Sequence, residues 1–157
     1  MKILPLTRAA FAPFGDVIEM AGAKHFPINQ GFAERFDDLA NIDVSAEGGH
    51  AKISLCEAVP RPLPIAIKLM ERHPLGSQIF YPLQEEDWLV LVCDDPHSPE
   101  SYRCFRATGK QGINYARNVW HHPLLVLSKS QFLIVDRAGP GKNLEEVYLH
   151  TNIELKS

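Results

Sequence analysis

The sequence lacks any long hydrophobic segment. Its longest apolar run, from Trp88 to Cys93, has the length of one strand, far below the roughly 20 residues that a transmembrane helix needs. The first residues, Met1 to Pro5, show no apolar stretch followed by a cleavage site, so no signal peptide is expected. We therefore expect a cytoplasmic protein without a membrane partner.

Cysteine is also scarce. The chain has three cysteines, Cys56, Cys93 and Cys104, and none of them forms a CxxC pair. An odd number of thiols in apolar contexts does not suit a disulfide framework or a zinc ribbon. The expectation is that these thiols are reduced and buried.

No excess of one charge sign is present. The formal net charge is −3, and acidic and basic residues are mixed along the chain. Because no basic stripe exists, nucleic acid is not expected as a partner. A length of 157 residues suits a single domain, which we assign to residues 1–157.

Helical periodicity is nearly absent, and short apolar segments alternate with turn signals instead. Thr7 can cap a short helix that Pro13 ends. The remaining pattern is typical of strands, for example over residues 51–57, 78–83 and 131–137. It predicts an all-β fold, an antiparallel barrel or sandwich, with a few short helices.

A first polar motif, Glu71-Arg72-His73-Pro74-Leu75-Gly76-Ser77-Gln78, ends one predicted strand and begins the next. The odd-numbered residues from Ile65 to His73 are predicted to share one face of a strand. Glu71 and His73 would therefore continue the face that builds the core. Such groups are costly inside a β core unless they bind something, so they predict a small-molecule or metal site.

A second motif runs from Gly112 to Pro123 and contains the pair His121-His122. Adjacent residues of a strand point to opposite faces, so only one of these imidazoles can face the interior. We favour His121.

The order and spacing of these motifs resemble those of cupins, whose first motif is His-x-His-x(3–4)-Glu with a further histidine downstream. Here Glu71, His73 and Gln78 stand at the first three positions, and His121 stands at the last. The resemblance implies a cupin-type, jelly-roll-like β-barrel. Two imidazoles, a carboxylate and an amide could hold a divalent metal ion. Its identity stays open, and no organic cofactor is expected.

The two full motifs also resemble those of the ureidoglycolate lyase family, whose members are also called ureidoglycolate hydrolases. Segments 11–19 and 28–35 and the pair Asp136-Arg137 before a glycine turn agree. The resemblance implies a homodimeric enzyme of allantoin and purine breakdown. Its reaction would cleave (S)-ureidoglycolate to glyoxylate and urea.

That substrate is a carbinolamine with a carboxylate, so its cleavage needs a base, an acid and a cation. Histidine transfers protons near neutral pH. His73 and His121 are the candidate acid and base in either order, and Glu71 would orient them or share a proton. The substrate-binding candidates are Gln78 and Asn29 for the ureido group and Tyr115, Arg117 and Arg35 for the carboxylate. Arg72 is disfavoured because it alternates with His73 on the strand.

Three alternatives stay open at this point. An amidohydrolase that releases ammonia from the same substrate would need the same groups. A non-catalytic cupin could bind a small acid. A metal-dependent cupin isomerase or dioxygenase is also compatible with the motif.

Overall fold

The chain is built mainly of β-strands in the computed structural model, which describes residues 1–156. The only α-helix within those residues is α1 (Arg8–Phe11), and three 3-10 turns lie at Asn29–Gly31, Ala46–Gly48 and Pro99–Ser101. The strands are β1 (Ile3–Pro5), β2 (Gly15–Ile18), β3 (His25–Ile28), β4 (Ala33–Phe36), β5 (His50–Ala58), β6 (Ile65–Arg72), β7 (Gln78–Pro82), β8 (Trp88–Cys93), β9 (Arg103–Ala107), β10 (Gly112–Tyr115), β11 (Trp120–His121), β12 (Leu125–Val126), β13 (Ser130–Ala138) and β14 (Glu145–Leu155). The prediction of an all-β fold with few short helices is confirmed.

Two sheets form the body of the fold. The seven-stranded sheet has the order β1-β9-β8-β11-β6-β14, with β12 paired to β8, and the five-stranded sheet has the order β2-β10-β7-β13-β5. Neighbouring strands are antiparallel except β1 and β9. This double sheet confirms the predicted all-β, jelly-roll-like architecture. Within residues 1–156, however, neither sheet closes into a barrel, because each keeps two free edges.

Aromatic side chains from both sheets and from α1 fill the space between the sheets. Trp88 and Phe132 meet edge to face with ring centroids 5.0 Å apart, and Phe11 meets Phe105 at 5.8 Å. Such pairs stabilise a core beyond the area they bury. Thr7 caps α1 by accepting the N–H of Ala10 at 3.2 Å, which fixes the helix that carries Phe11.

A second core lies on the other face of the seven-stranded sheet. Strand β8 supplies both cores, because Val90 and Val92 point into the first while Leu89 and Leu91 point into the second. All six residues of β8 are buried. The unbroken apolar run that marked the sequence is therefore a strand covered on both faces.

Strand β6 changes its sidedness between Ile67 and Met70. Ile67 and Met70 belong to the same buried cluster although they lie three residues apart, and the register of β14 against β6 shifts between Tyr148 and Ile153. The extra residues of this irregularity lie on β14, and a register shift of this kind re-aims the side chains beside it. The predicted uniform face is thus wrong here, since Glu71 and His73 lie opposite the face of Ile65 and Ile67.

None of the helices within residues 1–156 is long and apolar enough to cross a membrane.

Candidate active site

Four strands bring the two polar motifs together at one end of the space between the sheets. His121 in β11 is the direct register partner of Glu71 in β6, and Gln78 in β7 faces Tyr115 in β10. His73 follows β6, and its carbonyl accepts the N–H of Asn118 at 2.9 Å. These backbone contacts thereby join residues that are 37 to 50 positions apart in the sequence.

Glu71, His73 and His121 form a compact triad. Their potential ligand atoms all lie within 4.8 Å of one another, and the two imidazole centroids are 5.2 Å apart. His121 Nε2 lies 3.5 Å from Glu71 Oε1. The structure therefore brings together the three residues that the sequence nominated for chemistry.

Backbone carbonyls orient both imidazoles. The Nδ1 of His73 lies 2.8 Å from the carbonyl oxygen of Asn143, and the Nδ1 of His121 lies 2.9 Å from that of Val119. A carbonyl can only accept, so each Nδ1 carries the hydrogen and each Nε2 is turned toward the site. His121 Nε2 is buried and has no hydrogen-bond partner within residues 1–156.

The ring of Tyr115 packs against the ring of His121. The two rings stack with centroids 4.0 Å apart and an interplanar angle of 14°, and Tyr115 is buried in the core. Burial, followed by the nearby charge of Glu71, raises the pKa of the Tyr115 phenol, so the hydroxyl stays neutral. Contact between this hydroxyl and a substrate stays a prediction.

Glu71 is held in its charged form. Partial burial alone would raise its pKa, but the neighbouring His121, followed by His73 and His122, outweighs burial and brings the pKa below the usual value of 4.5. The group therefore offers a carboxylate, not a carboxylic acid, to whatever enters the site.

Gln78 connects the triad to a residue that the sequence reasoning left without a role. Its Oε1 lies 3.2 Å from His73 Nε2, and its amide nitrogen donates to Asp136 Oδ2 at 3.2 Å. Alternation along β13 could have placed Asp136 on the inner face. Asn143, which positions His73, comes from a loop 70 residues away, and no local sequence signal announces it.

The arginines nominated for the carboxylate have other partners. Arg117 donates to the carbonyl of Pro74, and Arg35 pairs with Asp37 at 2.7 Å. Arg72 pairs with Glu145 and lies 4.5 Å above the Trp120 ring, on the side away from the triad.

The remaining candidate, Asn29, starts the turn between β3 and β4, with φ of 52°. These two strands form a separate two-stranded sheet, which also carries Arg35. Substrate contacts of Asn29, Arg35 and Arg117 stay predictions.

A cavity of about 690 Å³ opens beside His73 and Asp136. Three cations, Lys52, Arg137 and Lys142, line it together with Glu146. A larger cavity of about 1170 Å³ lies around the N-terminal strand and contains none of the triad residues. The smaller cavity therefore reaches the triad at His73.

The donor set of the triad suits a divalent metal ion. His73 and His121 turn Nε2 inward with Nδ1 held by carbonyls, the arrangement common among metal-binding histidines. Glu71 adds a charged oxygen, Gln78 an amide oxygen, and the unpartnered His121 Nε2 has a free lone pair. Imidazole and oxygen ligands do not by themselves select one metal.

The neighbouring His122 is buried for a different reason. Its Nδ1 lies 2.6 Å from the carbonyl of Pro123, and it is only 3% exposed. Burial is the main cause that lowers the pKa of His122 from 6.5 to about 4. His122 therefore stays neutral and flanks His121 without belonging to the triad.

Comparison with known proteins gives one consistent family. A family model described as ureidoglycolate lyase matches residues 1–156. A protein from Burkholderia cepacia named ureidoglycolate lyase is 53% identical over 95% of this chain and 86% of its own. "Ureidoglycolate lyase 1" of Rhizobium meliloti (strain 1021) is 51% identical over 94% of this chain and 88% of its own.

Solved structures resemble the chain more distantly. A dTDP sugar isomerase from Desulfovibrio desulfuricans superposes with a TM-score of 0.46 and 18% identity, over 85% of this chain and 83% of its own. A variant of Bacillus subtilis oxalate decarboxylase reaches a TM-score of 0.41 and 12% identity, over 69% of this chain and 27% of its own. No activity follows from similarity at this level.

The pKa of His122 predicts how stability depends on pH. Its folded pKa of about 4 lies below the ordinary value of 6.5, so the unfolded state binds the proton first as the pH falls. The free energy of unfolding should drop by about 3 kcal/mol between pH 6.5 and 4 through this residue. When the free energy of unfolding is measured with urea at several pH values in that range, it should fall less steeply with falling pH in His122→Asn than in wild type. His50→Asn, at an exposed histidine, should keep the wild-type slope, and an unchanged slope in His122→Asn would contradict the assignment.

Proposed function

Because this chain belongs to the ureidoglycolate lyase family, we propose that its Glu71, His73 and His121 triad cleaves (S)-ureidoglycolate to glyoxylate and urea. The observation that carries the proposal is the convergence of two imidazoles and one carboxylate within 4.8 Å. A carbinolamine needs a base and an acid within reach of one carbon atom, and this spacing provides both.

His121 is the base in this proposal. Its Nε2 has a lone pair and no hydrogen-bond partner within the described residues, and it lies 3.5 Å from Glu71. It takes the proton of the substrate hydroxyl as the carbonyl of glyoxylate forms. The carboxylate of Glu71 then stabilises the imidazolium that results.

His73 is the acid. Both of its nitrogens lie within hydrogen-bond distance of acceptor oxygens, Nδ1 of that of Asn143 and Nε2 of that of Gln78, so the oxygen of Gln78 can hold the Nε2 proton in place for transfer. As the carbon–nitrogen bond breaks, its electron pair goes to the departing nitrogen. The Nε2 proton of His73 joins that nitrogen and urea leaves neutral. A proton then returns from His121 to His73 before the next turnover.

A divalent ion is the alternative occupant of the same atoms. When bound by Glu71, His73, Gln78 and His121, it would polarise the hydroxyl and carboxylate oxygens of the substrate. An ion on His73 Nε2 excludes a proton there, so the two modes make opposite demands on this atom. Activity after metal removal distinguishes them.

For the substrate carboxylate, the cavity offers positive charge near His73. Lys52, Arg137 and Lys142 line it. Lys52 also lies 3.8 Å from Asp136, and Arg137 donates to the carbonyls of Ala46 and Pro140. Charge of this sign attracts an anionic substrate into the cavity.

The proposal extends to the setting of the reaction. We propose that the chain works as one catalytic domain in the cytoplasm, late in allantoin and purine breakdown. The family match over residues 1–156 supports this, and so do three cysteines that are all free, since thiols stay reduced in that compartment.

Product analysis tests the reaction. Purified protein, treated with a chelator and incubated with racemic ureidoglycolate, should consume one enantiomer and release equal amounts of urea and glyoxylate. Release of ammonia in stoichiometric amount would instead show an amidohydrolase and contradict the lyase assignment. Activity that survives chelation supports proton transfer by His73, whereas loss that a divalent ion restores supports the metal mode.

Histidine variants test the residues. His73→Ala and His121→Ala should each lower kcat by about 10²–10⁴-fold, because each removes a proton-transfer group. Circular dichroism should show the wild-type fold, and His50→Ala, at an exposed histidine, should keep wild-type kcat. Wild-type turnover in both triad variants would remove these residues from the mechanism.

We also propose that the chain forms a homodimer through the outer face of β5. This strand is an edge of the five-stranded sheet, and its Ile53 and Leu55 are 72% and 71% exposed. A long apolar edge strand is a surface that a second chain readily covers.

Sedimentation measurements test this interface. Leu55→Lys places a charge in the apolar face and should shift the protein from dimer to monomer at micromolar concentration. Ile42→Lys, at an exposed isoleucine outside β5, should leave the dimer intact. A wild-type protein that sediments as a monomer would contradict the proposal.

A further inference from the structure

Asp136 and Gln78 lie side by side on neighbouring strands at the edge of the triad. In the ladder of β13 and β7, Val135 pairs with Ile79, and Asp136 and Gln78 are the next residues on each strand. The Gln78 amide nitrogen donates to Asp136 Oδ2 at 3.2 Å, and Gln78 Oε1 lies 3.2 Å from His73 Nε2. One side chain thus connects a carboxylate to the triad.

The carboxylate of Asp136 allows only one orientation of the Gln78 amide. The amide of glutamine has a donor end and an acceptor end, whereas an ionised carboxylate can only accept. The NH₂ end must therefore face Asp136, and the carbonyl oxygen must face His73. Within residues 1–156, Asp136 Oδ1 is buried without a hydrogen-bond partner, and Lys52 Nζ, 3.8 Å away, provides the nearby positive charge.

We propose that Asp136 is a positioning residue that acts through Gln78: it fixes the amide so that an acceptor oxygen always faces the reacting group. The proposal rests on the proposed lyase function and deepens it. In the substrate complex the fixed oxygen accepts an N–H of the ureido group. If the Gln78 amide were flipped, its NH₂ group would face the N–H of the ureido group, and two donors would face each other without an acceptor.

This arrangement selects for a leaving group that carries N–H. The nitrogen that departs from ureidoglycolate is a donor, and an oxygen held in place by Asp136 pays no reorientation cost to receive it. A 2-hydroxy acid that lacks a ureido group offers this oxygen no donor. It would leave the second lone pair of this oxygen without a donor in a partly buried site, which weakens binding.

A swap of the two side chains tests positioning against a merely structural role. Asp136→Asn lets the neighbour donate to either end of the Gln78 amide, so kcat/KM should fall about 10- to 100-fold, as for other residues that orient a ligand group. Gln78→Glu places two carboxylates in contact, so its kcat/KM should fall at least as far. The double variant Asp136→Asn/Gln78→Glu restores a donor at 136 and an acceptor at 78, so it should recover to within a few-fold of wild type.

One control accompanies the swap. Asp87→Asn changes a partly exposed aspartate that pairs with Arg106 at 3.5 Å and should leave kcat/KM unchanged. A double variant no better than the worse single variant would overturn the proposal, and so would an Asp136→Asn enzyme with wild-type kcat/KM.

A second measurement does not depend on turnover. In the substrate-free protein, the side-chain amide protons of Gln78 should exchange with solvent more slowly in wild type than in Asp136→Asn, as followed by ¹H–¹⁵N NMR. Equal exchange rates would refute the fixed amide even in an active enzyme. Slow exchange in a protein that fails to cleave ureidoglycolate would instead confirm the positioning and refute the lyase function, so the two failures are distinguishable.

Discussion

The hydrogen bonds from two imidazole Nδ1 atoms to backbone carbonyls are the contacts on which the site depends. Buried histidines are costly when their nitrogens lack partners, and the carbonyls of Asn143 and Val119 satisfy one nitrogen of each ring. The other nitrogen of each ring is left for chemistry. The stack of Tyr115 on His121 then fixes the plane of the ring as well as its direction.

The fold supplies these contacts through ladders that join distant segments. Because His121 is the register partner of Glu71, a shift of one residue in β11 would turn His121 outward and Trp120 inward. The register shift between β14 and β6 has a similar effect. With it, β6 supplies Ile65, Ile67 and Met70 to the outer core and then turns Glu71 toward His121.

The sequence was sufficient for the fold class and for the triad, because both depend on patterns that local residues carry. Apolar segments between turn signals predicted the sheets, and the residue types at 71, 73 and 121 predicted acid–base or metal chemistry. The sequence was not sufficient for the change of sidedness in β6, since that change accompanies a register shift in β14. Asn143 and Asp136 were missed as partners because they reach the site through loop closure and strand pairing across 58 to 70 residues. The assignments of Arg117 and Arg35 relied on residue type, which does not reveal that Pro74 and Asp37 are their partners.

Strand β8 has a consequence for how the molecule comes apart. Its alternate side chains belong to the two separate cores, with Val90 and Val92 in one and Leu89 and Leu91 in the other. Neither core can lose this strand while the other keeps it. The two cores are therefore expected to melt together as one cooperative unit, although the site occupies only one end of one of them.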